Sequence, residues 1–355
     1  MSTTGHPGAI ASLNGATTAA LAWLGQASNR TFVLPLVVFF PTSRCNSRCL
    51  SCAWWTSDGE DDLTIDEIKG VAESLAALGT KLVVFSGGEP LLRPDVFEAA
   101  GLFRQQGCAL HLLTSGIGLG PRAAEVGRWF DRVIISLDAS TDDVYHDVRG
   151  VDALSAVENG VARLKTMAPR LPVSARATLH RVNFRELPRL VAKARRMQLT
   201  AISFLAADVT SEAFGPRPPG STRALLLDRQ EITEFRALID AAAIDCAEEF
   251  ERGFILESPA KLRRLPQYYA AMLGDEAFPP AACNAPWVSA VIEANGDVKP
   301  CFFHPAVGNL RRVPIGTLVR RRLREFRAAL DVGENPVCER CVCSLKVNWR
   351  HAPWS

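Results

Sequence analysis

The chain has 355 residues, of which 48% are hydrophobic and 22% charged. That is a globular composition, and it excludes a disordered or fibrous chain. Lys and Arg number 40 and Asp and Glu 38, a net charge of +2, so no strong field favours nucleic acid or an anionic membrane as partner.

At roughly 100–200 residues per domain, one large domain with or without a small one is expected. Residues 16–24 form a short apolar run that reads as a helix. Spanning a bilayer takes about 18 or more apolar residues, so this run is too short. No basic segment precedes it as in a signal peptide. A cytoplasmic location with reduced thiols follows, which favours metal ligation or catalysis over disulfides for the 10 cysteines.

Apolar, β-rich runs at 33–40, 81–86, 108–113, 132–137, 172–179 and 201–206 alternate with helical patterns at 64–78, 94–106, 120–129, 153–167 and 185–197. Thr64 followed by Glu67 is a capping box that opens the first helix. Six strand–helix repeats predict an α/β fold, a partial (β/α)6 barrel of parallel strands with right-handed crossovers. Near-continuous apolar strands fit burial on both faces. The chemistry of such a barrel sits at the C-terminal ends of its strands. Residues 208–227 are rich in Pro, Gly and Ser and read as a linker or mobile loop. Asp228 with Glu231 opens a long helix. Half of the cysteines fall in residues 283–355, which predicts a small cysteine-rich, metal-bearing C-terminal domain. The expected organisation is an N-terminal helical extension (1–32), a barrel core (33–227), a helical connector (228–282) and that domain.

Cys45-Asn-Ser-Arg-Cys49-Leu-Ser-Cys52 follows the first strand. A loop with this spacing can wrap three thiolates around an iron–sulfur cube and leave one iron open to a chelating ligand. Structural zinc fits less well, since it takes four closed ligands. The bland alternative is three buried reduced cysteines. Ser86-Gly87-Gly88-Glu89-Pro90 follows the second strand. Its glycines permit close backbone approach to a ligand.

With these two motifs, residues 33–206 resemble the radical S-adenosylmethionine (SAM) enzymes. The resemblance implies that Cys45, Cys49 and Cys52 hold a [4Fe–4S] cluster whose open iron is chelated by the amine and carboxylate of SAM. One electron, from a donor such as flavodoxin or ferredoxin, then cleaves a carbon–sulfur bond. The usual product is a 5′-deoxyadenosyl radical. Gly87, Gly88 and Glu89 are implied to hold the methionyl amine. Ser115 lies in the small polar turn after the third strand, and Ser136 is the implied ribose contact. Ser174, Arg176 and Thr178 share one face of the fifth strand, and Arg176 suits the SAM carboxylate. One departure is Ser51, where the family commonly has an aromatic residue before the third cysteine. Trp54 and Trp55 come just after it.

Cys283-(x12)-Gly296-(x4)-Cys301 and Cys338-Glu-Arg-Cys341-Val-Cys343 resemble the auxiliary-cluster module of many such enzymes, the SPASM domain in its shortened "twitch" form. Asn295-Gly296 predicts a hairpin that brings Cys283 and Cys301 together. Four cysteines suffice for one auxiliary [4Fe–4S] cluster. Cys343 is the spare, able to replace Cys341 or inert. A four-cysteine zinc site competes with this reading.

Residues 1–32 are fewer than the ~40 an independent domain needs, so a leader-binding domain is not expected there. The expected substrate is a small-molecule metabolite or natural-product intermediate. A peptide presented by a separate binding protein is the runner-up. Aminocarboxypropyl transfer from SAM and a non-catalytic metal-binding scaffold are the remaining alternatives. Cys108 and Cys246 read as packing thiols, and His304 as an exposed loop residue. His146 and Arg149 read as cavity wall or structural turn. Asp208 follows the sixth strand, where a substrate base or ligand could stand. Arg320, Arg321, Arg322 and Arg324 read as a solvated helix face.

Overall fold

The structure, a computed structural model, describes residues 15–215, 221–343 and 345–347. The six apolar runs are strands: β1 (Leu36–Phe39), β2 (Leu82–Phe85), β3 (Ala109–Thr114), β4 (Arg132–Ser136), β5 (Val173–Leu179) and β6 (Ile202–Ala206). Helix α1 (Gly15–Ser28) precedes them. Between the strands lie α2 (Ile65–Ala77), α3 (Val96–Gln105), α4 (Ala123–Trp129), α5 (Asp142–Arg149), α6 (Leu154–Met167) and α7 (Leu187–Arg196). Helix α5 is the one of these that the sequence pattern does not announce. No helix among the described residues is long and apolar enough to cross a membrane.

Strands β1 and β2 are both Leu-Val-Val-Phe, paired in parallel so that Phe39 meets Phe85. Both rings are fully buried and pack edge-on at 5.6 Å. Phe103 of α3 joins them at 5.3 and 5.7 Å, which ties this helix to the sheet. Burying each such ring contributes about 1.5–3 kcal/mol. The capping box forms in full: Thr64 Oγ1 accepts from Glu67 N, and Glu67 Oε2 accepts from Thr64 N at 2.8 Å. Asp228 and Glu231 cap α8 (Arg229–Asp245) in the same reciprocal way.

The strand order is β6-β5-β4-β3-β2-β1-β7-β8-β9 in one open sheet. Strand β7 (Ser289–Ile292) comes from the cysteine-rich C-terminal region and pairs in parallel with β1. The expected hairpin joins it to β8 (Asp297–Lys299), with Gly296 at φ 87° in the turn. The two-residue β9 (Gly308–Asn309) closes that edge. The result is an unclosed, mostly parallel barrel. At the other edge lies α9 (Arg264–Met272), whose Tyr269 hydroxyl donates to Leu179 O at 2.6 Å and accepts from Ala207 N at 3.0 Å. That pins the ends of β5 and β6. Seven parallel strands thus deliver their C-terminal loops to one mouth.

Candidate active site

The loop after β1 carries Cys45, Cys49 and Cys52 and is held from three sides. Asp62 accepts from Thr42 Oγ1, from Ser43 N at 3.0 Å and from Ser43 Oγ at 2.8 Å. The Gly87-Gly88 turn zips onto it: Gly88 N donates to Thr42 O at 3.1 Å and Glu89 N to Arg44 O at 2.7 Å. The C-terminus of α5 forms the third side, where Arg48 N donates to Arg149 O at 2.8 Å and Leu50 N to Val148 O at 3.1 Å. A Cβ on Gly88 would lie 2.1 Å from Arg44 O, and one on Gly150 2.6 Å from Arg48 O. The close approach that the paired glycines permit is therefore to the cysteine loop itself.

Glu89 is fully buried. Its carboxylate accepts from Leu91 N at 3.0 Å, Thr114 Oγ1 at 2.8 Å and Ser115 N at 2.6 Å. It ties the turn after β2 to the turn after β3 and does not line the cavity beside it.

That cavity, about 200 Å³, is bordered by all three loop thiols and by Gly87 and Gly88. Ser115 and Ser136, at the ends of β3 and β4, and Arg176, midway along β5, line it too. Arg176 donates to Ser203 Oγ at 3.3 Å and ion-pairs with no carboxylate among the described residues. Asp138, Arg149, Thr178 and Asp208 add polar wall, while Phe214, Phe302 and Phe303 supply an aromatic one. Ser51 faces the cavity but neither Trp54 nor Trp55 does. Trp54 packs against Phe40 at 5.8 Å, and Trp55 is exposed.

Cys283, Cys301, Cys338 and Cys341 line a separate small hollow together with His304. Cys343 lies outside it and borders the main cavity instead. Its N–H donates to Cys341 Sγ at 3.4 Å. His304 is not an exposed loop residue: it is buried, stacked edge-on with Phe326 at 4.8 Å, with Nε2 3.3 Å from Cys338 Sγ.

The radical SAM superfamily profile matches residues 39–194, and that of the SPASM iron–sulfur cluster-binding domain matches residues 283–342. The chain carries a radical SAM domain and a SPASM domain. Among curated relatives, the AdoMet-dependent heme synthase of Methanosarcina barkeri is 26% identical over 82% of this chain and 84% of its own. The PqqA peptide cyclase of Ruegeria pomeroyi is 28% identical over 83% of this chain and 75% of its own. Some other matches span less than half of the relative's length. The crystal structure of Streptococcus suis SuiB bound to S-adenosylmethionine shares the fold, with TM-score 0.64 and 12% identity over 92% of this chain and 76% of that one.

This radical SAM enzyme uses SAM and a [4Fe–4S] cluster, with auxiliary iron–sulfur binding in its SPASM region. The donor set at the barrel mouth fits that demand. Burial pushes the Cys45 thiol up to about 11 and that of Cys52 to about 12, and raises Cys49 as well. A metal displaces the protons of such thiols to solvent, so cluster binding releases protons. Among the described residues no three His, Cys, Asp or Glu side chains converge on a single-ion site. The loop thiols border a shared space, and a polynuclear cluster needs that arrangement.

The remaining side chains are placed as follows. Cys108 is buried, with Sγ 3.5 Å from Thr80 O, and Cys246 is half-buried at the end of α8. His146 is exposed and 2.7 Å from Asp152, away from the cavity that Arg149 lines. Asp208 is on the cavity wall but is tied to Thr210 and Ser211. Arg320, Arg321, Arg322 and Arg324 are exposed. Sequence reasoning missed Phe214, Phe302, Phe303 and Asp138. Asp138 follows Ser136 by two residues, and the two phenylalanines follow Cys301 directly, which are the signals that could have found them.

Proposed function

We propose that this chain cleaves SAM by one electron at a [4Fe–4S] cluster held by Cys45, Cys49 and Cys52, and directs the radical onto a small-molecule metabolite or natural-product intermediate. The observation that supports this reading best is the shared cavity, onto which the three thiols, the glycine turn, Ser115, Ser136 and Arg176 all open. Bound there, cluster and SAM supply reductive cleavage of a carbon–sulfur bond and a 5′-deoxyadenosyl radical. The electron comes from a donor such as flavodoxin or ferredoxin in the cytoplasm.

In this reading the chain's own residues orient the reagent. The backbone at Gly87 and Gly88 takes the methionyl amine. Arg176, without an acidic partner among the described residues, takes the planar carboxylate. Ser136 serves the ribose and Ser115 the turn beside it. Glu89 acts at one remove, by locking the segments that present these groups. Phe214, Phe302 and Phe303 keep water from the reacting centre. An aromatic wall with a few polar groups, Thr178 and Asp208 among them, suits a compact substrate that is largely apolar. The likeness to the heme synthase points the same way. A peptide substrate is the second reading, supported by similar identity to the PqqA peptide cyclase.

The test is anaerobic. Reconstituted protein given dithionite and SAM should be brown and release 5′-deoxyadenosine, read by mass spectrometry. Colourless, zinc-loaded protein without cleavage would overturn the reading. Deuterium passing into 5′-deoxyadenosine from labelled small molecules, and not from labelled peptides, separates the two substrate classes.

The auxiliary cluster is assigned to Cys283, Cys301, Cys338 and Cys341, which share one hollow. Cys343→Ala should therefore keep wild-type iron and sulfide, whereas Cys283→Ala should lose the iron of one cluster. Equal losses in the two variants, counted by iron and acid-labile sulfide assay, would put Cys343 in the ligand set.

A further inference from the structure

Arg149 ends α5 as a buried cation packed against the cysteine loop. It is 8% exposed and lines the cavity. Its Nη1 donates to Asp138 Oδ2 at 2.9 Å. Its Nη2 donates to the hydroxyl of Ser47, which lies between Cys45 and Cys49, at 3.4 Å. Its Nε is buried and makes no hydrogen bond of normal geometry among the described residues, with the buried hydroxyl of Tyr145 beside the guanidinium. The buried carboxylate of Asp138 is its countercharge. Asp138 is itself buried and accepts from Thr178 N at 2.7 Å, so the acid that fixes the guanidinium is in turn fixed to β5.

An unmade hydrogen bond on a buried charged donor is costly and calls for an acceptor. Three thiolates around an iron–sulfur cube bring several sulfur acceptors and net negative charge into this low-dielectric pocket. Hydrogen bonds to cluster sulfurs and nearby charge are two of the levers that set a cluster's potential.

We propose that Arg149 is a cationic hydrogen-bond donor to the cluster of the Cys45–Cys49–Cys52 loop and raises its reduction potential, with Asp138 as the residue that positions it. This rests on the cluster assignment above. It gives the Asp138–Arg149 pair opposite signs. Removing the cation makes the cluster harder to reduce. Removing the anion leaves the cation uncompensated and makes the cluster easier to reduce.

The experiment is a potentiometric titration of reconstituted full-chain protein, followed by the electron paramagnetic resonance signal that changes on adding SAM. Arg149→Gln should keep its iron and move the midpoint negative by ~59 mV or more, a tenfold change in the one-electron equilibrium. Arg149→Lys keeps the charge and should fall between Gln and wild type. Asp138→Asn should move the midpoint positive. If Arg149→Gln does not retain its cluster, the Lys and Asn variants still read the two signs. Midpoints unchanged in the iron-loaded variants, or shifted the same way by both neutralisations, overturn the proposal. Weaker SAM binding at an unchanged midpoint does so too, since that makes Arg149 a SAM contact only. Wild-type protein with no SAM-responsive signal would sink the cluster assignment itself.

Discussion

Cys49→Ala is expected to abolish SAM cleavage, a loss on the order of 10⁴-fold or more, as when one member of a catalytic unit is removed. The iron of the SPASM region should stay in place. Cys49 is the middle thiol of a loop fixed by hydrogen bonds on both sides, from Arg48 N to Arg149 O and from Leu50 N to Val148 O. The loop therefore cannot slide to let Cys45 and Cys52 take over. Two thiolates leave two irons of the cube unheld, and the cluster is lost rather than retuned. Cys45→Ala and Cys52→Ala should behave alike, and the triple variant should be no worse than any single one, because the ligands act as a unit. The measurement pairs 5′-deoxyadenosine release with iron counting. Wild-type turnover by the triple variant would remove the basis of the functional reading.

Most of the barrel was legible because its signals are local and repeated. Six apolar runs and the helical patterns between them each fix their own type, and parallel topology follows from alternation. The placement of β7 was not legible. Asn295-Gly296 announces a hairpin, and the hairpin forms, but no local feature of Ser-Ala-Val-Ile says that its strand will also lie against β1. That pairing joins residues about 250 positions apart in the chain, and only the packed sheet decides it. Helix α5 escaped for the opposite reason. It is eight residues long and dominated by Asp, His and Arg, with Tyr145 and Val148 as its large apolar anchors. Reading that segment as a turn left Arg149 undecided, although it proves to be a buried neighbour of the thiols. His304 was misread because a loop histidine usually meets solvent; here Phe326 covers it. At the site, residue type revealed the chemistry but not the partner. Glycines at 87 and 88 signal close approach without saying to what, and a motif glutamate does not reveal that its oxygens are already engaged by Leu91, Thr114 and Ser115.

The glycine turn yields the second large effect. Gly88→Ala adds a single methyl group at a place with no room for it. The new Cβ would lie 2.1 Å from Arg44 O and 2.5 Å from Ser43 O. Both are backbone carbonyls of the cysteine loop, so no side-chain rotation relieves the clash. One of the two segments must retreat, and the hydrogen bonds from Gly88 N to Thr42 O and from Glu89 N to Arg44 O go with it. The backbone at Gly88 needs no left-handed conformation, unlike Gly87 at φ 102°, so the penalty is contact alone. A displacement of ~1 Å in the loop is enough to cost 10²-fold or more in rate. Gly88→Ala should therefore fold, keep its SPASM iron, and lose most of its SAM-responsive cluster and at least that much cleavage. Gly70→Ala on α2 is the matched control. A Cβ there meets nothing within 4 Å, and a helical glycine replaced by alanine gains about 0.5–1 kcal/mol. Thermal melts and iron counts of the two variants, taken together, separate loss of the loop from loss of the fold. A Gly88→Ala protein with full iron and wild-type cleavage would mean that the turn and the cysteine loop can move apart without consequence for the reaction.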